Sequence, residues 1–236
     1  LFAAMRDRLV LSLIVSSMVV VSLSFFLGSS AVIEQDQFAI VYMASTLRLL
    51  FVFGFALFVI FFIRRCFENK EIEYLLSRPI GRKSFIISYV MAFIFLALVF
   101  ALVATGLLAA VSVQYIGQGT YLWGYSLFIE LSIMSVASFF FAMVLSSPVS
   151  ASLVTVAFYA LSRLIGTILG IVSEGVYLVS SDILIGASHT ISLFVPRFDL
   201  LTQSNWLLYG VDGSVGFGLV TLQGLTFTLV LMGAAM

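Results

Sequence analysis

Six stretches of this chain run for about twenty residues or more with almost no charge: 9–28, 38–63, 84–113, 123–146, 149–173 and roughly 213–236. A helix rises about 1.5 Å per residue and needs about 20 apolar residues to cross the hydrocarbon of a bilayer. Lipid offers no partner to a backbone N–H or C=O, so a spanning segment of this kind must satisfy its own as a helix. The chain is 62% hydrophobic and 9% charged, where a soluble domain carries about 25% charge. Its mean hydropathy is +1.22. The expected fold is an all-α integral membrane protein with six transmembrane helices, forming one transmembrane domain over 1–236. The first run is too long for a signal peptide and lacks a small-residue cleavage site. The chain begins at Leu1 and stops within an apolar run, so both ends are read as truncated.

Absences narrow the chemistry. Net charge is zero, which argues against a broad attraction to nucleic acid. Cys66 is the single cysteine and His189 the single histidine, leaving few metal ligands and few general bases. The only lysines, Lys70 and Lys83, follow Asn and Arg, so the chain has no phosphate-cradling G-x-x-x-x-G-K-[ST] loop. Ser188 and His189 are adjacent, a spacing that does not set a hydroxyl against an imidazole for nucleophilic catalysis. They read as polar positions of an interfacial helix. The chain is expected to hold no cofactor and not to be an enzyme by itself.

Charge is concentrated instead. Residues 64–84, RRCFENKEIEYLLSRPIGRKS, hold 9 of the 22 charged residues. Arg6, Arg8, Arg64, Arg65, Lys70, Arg78, Arg82 and Lys83 all fall on one side of a six-span layout, while 29–37 and 114–122 contain no basic residue. The excess of Lys and Arg marks the cytoplasmic side, so both termini are expected there, in a plasma membrane. The long segment 174–212 then lies outside. Its apolar pieces are short and interrupted at Pro196, which suits a re-entrant or interfacial helical segment before the sixth span. Trp123 and Trp206 fall where an outer aromatic belt is expected.

Within the patch, Ile72, Leu75 and Leu76 follow an i, i+3, i+4 spacing. Glu68, Glu71 and Glu73 lie toward its start, where the helix dipole favours acids. Pro79 disfavours helix at Arg78. The pattern predicts a short amphipathic helix over about 68–78 at the inner membrane face. It admits two roles: a charged connection that fixes topology and touches anionic lipid, or a docking helix for a cytoplasmic protein.

The run FENKEIEYLLSRPIGRKSFIISY resembles the signature of the type-two ABC exporter permeases: acidic residues, leucines, Ser-Arg-Pro, then a basic residue opening the third span. Here these are Glu68, Glu71, Leu75, Leu76, Ser77, Arg78, Pro79, Arg82 and Lys83. Asn69–Lys70 stand where the family often has Gly-Thr. The run LFVPRFDLLTQSNWLLYG is similar to a Pro-Asn-hydrophobic-Asp motif before the last span of such permeases, with Arg197 at the Asn position. The resemblance implies the transmembrane subunit of an ATP-driven exporter, such as one of a bacterial inner membrane. It implies a coupling helix carrying Glu68, Glu71, Ile72, Leu75, Leu76, Arg78 and Pro79. It also implies separate ABC ATPase subunits that bind ATP and Mg, and a second permease subunit, identical or not. The alternatives are a secondary transporter, for which repeat symmetry and discontinuous helices would be expected, and a non-transporting membrane scaffold or assembly factor.

Three charges fall inside spans: Arg48, Glu130 and Arg163. Each costs about 2.5–3.5 kcal/mol near mid-bilayer on insertion scales, so pairing or a cavity is expected. The span boundaries place all three in the outer half and suggest a Glu130–Arg163 pair, with Arg48 as a second partner. The cluster either lines the substrate path or fixes helix packing. Ser162, Gly166 and Gly170 recur every four residues in the fifth span, a small-residue spacing that permits close helix approach.

Overall fold

The computed structural model describes residues 8–29, 35–70, 81–112, 117–173, 196–203, 206–209 and 217–235; over 165–173 the description covers the helix path and not the side chains. The described residues form helices and short connections, with no strand among them. In chain order the helices are α1 (Arg8–Ser29), α2 (Gln35–Glu68), α3 (Arg82–Val111), α4 (Gln118–Val144), α5 (Pro148–Ser173), α6 (Phe198–Leu201), α7 (Trp206–Tyr209) and α8 (Phe217–Ala235). Four of them, α1 to α4, are long and apolar enough to cross a membrane. The described parts of α5 and α8 add shorter apolar helical stretches, Pro148–Leu164 and Val220–Ala235.

Prolines bound these helices rather than interrupt them. Pro148 opens α5, where its missing N–H removes no intrahelical bond. The turn before it is short: Leu145 caps α4 with its N–H on the Phe141 carbonyl, 2.9 Å away, and α5 begins three residues later. α2 has no proline and runs unbroken for 34 residues, about 50 Å at 1.5 Å per residue. That exceeds the hydrocarbon thickness by about 20 Å. It ends where the Asn69 N–H bonds the Arg65 carbonyl at 2.9 Å and the Lys70 N–H bonds Phe67 at 3.1 Å. Lys70 has φ 56°, a left-handed conformation that turns the chain off a helix end.

The predicted helix over 68–78 therefore meets a different boundary. Glu68 is the last residue of α2, and a turn follows it. Glu71, Ile72, Leu75, Leu76, Arg78 and Pro79 lie outside the described residues. So do Ser188 and His189.

α4 occupies the centre. It packs on α2, α3, α5 and α8 and on both short helices, whereas α1 packs chiefly on α2. Aromatic rings fill the α2–α3–α4 interior: Phe100 meets Phe51 and Phe55 at centroid distances of 5.8 and 5.3 Å, and Phe93 meets Phe139 at 6.2 Å. Edge-to-face and tilted pairs of this kind pack better than face-to-face stacks.

The described part of the long segment before α8 is packed into this bundle. Phe198, Leu201, Trp206 and Leu207 are buried, and Gln223 of α8 donates to the Arg197 carbonyl at 2.8 Å. Gly119 makes the approach possible, because a Cβ there would overlap the Trp206 carbonyl. Trp123 is fully buried and Trp206 nearly so. Both differ from the interfacial belt expected of them, since protein rather than headgroups surrounds their rings.

Candidate functional site

One polar cluster joins the interior of α2, α4 and α5 to the short helix α6. Arg48 comes from α2 and is 1% exposed; Glu130 comes from α4 and is fully buried. Arg48 Nη1 donates to Glu130 Oε2 at 2.9 Å and to the Leu201 carbonyl at 2.7 Å. Its Nη2 donates to Ser126 Oγ at 2.9 Å and to the Trp123 carbonyl at 3.2 Å. The guanidinium carbon stands 5.0 Å from the centroid of the Trp123 ring, a favourable position for a cation over a ring face. A planar guanidinium can hold this many acceptors because its donors form a fixed fork.

The second Glu130 oxygen accepts from the Tyr159 hydroxyl at 3.0 Å, and that hydroxyl accepts from Arg163 Nη1 at 2.9 Å. The order is thus Arg163, Tyr159, Glu130, Arg48, Leu201. The direct ion pair is Arg48–Glu130, and Arg163 reaches Glu130 through Tyr159. The span boundaries favour Arg163 as the direct partner, and the structure gives Arg48 instead. The difference is rotational: Tyr159 and Arg163 are one turn apart on α5, and it is the phenol that faces Glu130. Depth differs too. α2 and α4 begin earlier than their hydropathy suggested, so Arg48 and Glu130 lie about 20 Å and 18 Å along their helices. Glu130 is beside the midpoint of α4.

Burial of such a pair is costly unless its remaining donors and acceptors are met. Both Glu130 oxygens and both Arg48 Nη atoms are met here. Arg48 Nε has no partner among the described residues. Tyr159 is held in turn by Phe53, edge-on at 5.0 Å, and by Phe198 at 5.5 Å. The hydroxyl-on-carboxylate contact of the cluster, Tyr159 to Glu130, lies between two arginines, and no group of three metal-ligating side chains occurs among the described residues. Its capacity is electrostatic and mechanical: it holds four elements in register and carries two cations against one anion.

A second polar junction lies at the Glu68 end of α2. Arg64 Nη2 donates to the Leu145 carbonyl in the α4–α5 turn, and its guanidinium lies 5.9 Å from the Phe67 ring centroid. A cation on the last carbonyls of α4 complements the negative end of that helix. Glu68 is exposed beside it. Ser162 is fully buried with its hydroxyl on the Phe158 carbonyl of its own helix. Gly166 and Gly170 lie on α5, and their surroundings fall outside the described positions.

Ser126, Tyr159, the ring and carbonyl of Trp123, and the Leu201 carbonyl are the members that sequence reasoning did not assign to the cluster. Two carried a signal: Ser126 is one turn before Glu130, and Tyr159 one turn before Arg163, each on its partner's face. The Leu201 carbonyl carried none. No protein-family model, curated protein or solved structure matches this chain.

Proposed function

We propose that this chain is the membrane subunit of an ATP-driven exporter of the ABC type, with six spans and both termini in the cytoplasm of a bacterial cell. In this reading α5 and α8 complete the spans, and the segment before α8 enters from the outside. The 68–78 region is the coupling helix, docked on a separate ATPase subunit that supplies ATP and Mg. A second permease subunit completes the translocation path.

The observation that carries the reading is the continuity of α2. One unbroken helix holds the buried Arg48 junction at one level, the Arg64 junction at another, and the charged patch at its end. A stiff rod of this length passes a displacement of the patch to the Leu201 carbonyl, about 30 Å away by helical rise. An ATPase seated on the patch would thereby act on the segment before α8. The resemblance around Leu75–Pro79 supplies the identity of the partner.

The test is purification in mild detergent from the native host. Wild-type protein is expected to bring down an ATP-hydrolysing subunit, and Leu75→Glu to lose it while remaining monodisperse. If wild type captures no ATPase, the proposal fails and a secondary transporter or scaffold takes its place.

A further inference from the structure

The element that closes the polar cluster is also the one least able to stand alone. α6 has four residues, Phe198–Leu201, and a helix of one turn does not persist on its own hydrogen bonds. Other elements set its place. Arg48 of α2 donates to the Leu201 carbonyl at 2.7 Å, and Gln223 of α8 donates to the Arg197 carbonyl at 2.8 Å. Between these two fastenings the Phe198 ring lies 5.5 Å from the Tyr159 ring of α5. Residues 196–202 thus form a strap, tied at each end of α6 by a side chain from a different long helix.

The strap has two unlike faces. Phe198 and Leu201 are fully buried. Arg197 and Asp199 pair with each other at 2.9 Å, with side chains 36% and 23% exposed. The apolar face covers the Arg48–Glu130 pair, and the charged face meets a polar surface. Lifting the strap does not require the ion pair to break. Arg48 Nη1 bonds Glu130 as well as the Leu201 carbonyl, and Nη2 bonds Ser126 and the Trp123 carbonyl.

The fastenings themselves oppose the closed state. Arg48 Nε, Gln223 Oε1 and Trp123 Nε1 are buried and have no partner among the described residues. The first two belong to the side chains that tie the strap, and the third to the ring beside the Arg48 guanidinium. A buried polar group left unpaired counts against the state that buries it. Water admitted by lifting the strap would supply these partners. Burial of Phe198 and Leu201 holds the strap down, and a segment balanced in this way opens locally while the rest of the fold stays closed.

We infer that residues 196–202 are a releasable strap, with Arg48 as its latch, and that its lifting admits water to the Arg48–Glu130 pair beside the midpoint of α4. The movement belongs to this chain and needs no ATPase, so it stands or falls separately from the capture of one.

Cysteine accessibility in nanodiscs tests it, with a charged methanethiosulfonate that does not enter lipid. The background is Cys66→Ala, which removes the single cysteine. Ser126 and Ala137 are both fully buried on α4, but Ser126 is separated from the Leu201 carbonyl by one guanidinium. Ser126→Cys is expected to be modified in the folded protein and Ala137→Cys to stay unmodified. Phe198→Ala, which loosens the strap, should raise the rate at Ser126→Cys by at least about tenfold, because truncating a buried phenylalanine weakens packing strongly. Ala137→Cys should not respond. The strap is overturned if Ser126→Cys is not modified, if both positions are modified alike, or if Phe198→Ala leaves the rate unchanged. If Phe198→Ala does not fold, hydrogen exchange of the wild type decides. Amides of 198–202 should exchange while those of 126–137 stay protected, and equal protection overturns the strap.

Discussion

α1 and α4 have nearly the same mean hydropathy, 2.2 and 2.1 over their most apolar stretches, yet 22% of the first is buried and 72% of the second. Both carry several serines, so polarity by itself does not separate them. The difference lies in what the polar groups can do alone. In α1, Ser12, Ser16 and Ser22 turn their hydroxyls onto carbonyls three or four residues back, at 2.7 to 3.1 Å. A helix satisfied in that way can stand in lipid. Glu130 of α4 has no such recourse, because a carboxylate needs a cation and donors from other helices. One acid therefore marks the helix at the centre of the bundle, while hydropathy is blind to the distinction.

The largest effect expected from this contrast is at the buried pair. Glu130→Ala leaves Arg48 without its anion and should cost about 3–5 kcal/mol, read as loss of the monodisperse peak in detergent. Gly119→Ala should follow. It drives a Cβ into the Trp206 carbonyl, and overpacking of this kind costs about 1–3 kcal/mol, measured as a lower unfolding midpoint. Tyr159→Phe retains the ring contacts with Phe53 and Phe198 but removes the hydroxyl between Glu130 and Arg163. It should cost about 1–3 kcal/mol, and Arg163→Gln made on top of it should cost less than on wild type. Substitutions on α1 close the series. Leu11→Ala and Met18→Ala, at positions 66% and 54% exposed, should shift the midpoint by no more than about 0.5 kcal/mol. If these α1 variants are as damaging as those in α4, the contrast is wrong and α1 is covered by a second copy or another partner.

The same contrast explains which parts of the molecule could be read in advance. Helix existence followed from runs of apolar residues, because in lipid the backbone has few alternatives. Ends were less legible. Arg64 and Arg65 end the second apolar run, yet α2 continues to Glu68 because basic residues suit a helix C-terminus. The partners of Glu130 were less legible still. Two arginines lay within reach by depth, and depth does not give the rotation of each helix about its axis. Trp123 and Trp206 were assigned to a belt on sequence position alone, and the folded chain uses both inside.

The amino-acid sequence by itself determined that this chain is helical and suited to lipid, that its charge gathers in one short patch, and that three ionisable residues would need company within the bundle. Those outcomes depend on composition and spacing along the chain, which survive any packing. Only the tertiary structure decided that Arg48 takes Glu130, that Tyr159 stands between Glu130 and Arg163, and that the Leu201 carbonyl closes the junction. A backbone carbonyl is present at every residue and so has no signature of its own. Its role was set when the chain beyond Pro196 came to lie against α2, α4 and α5.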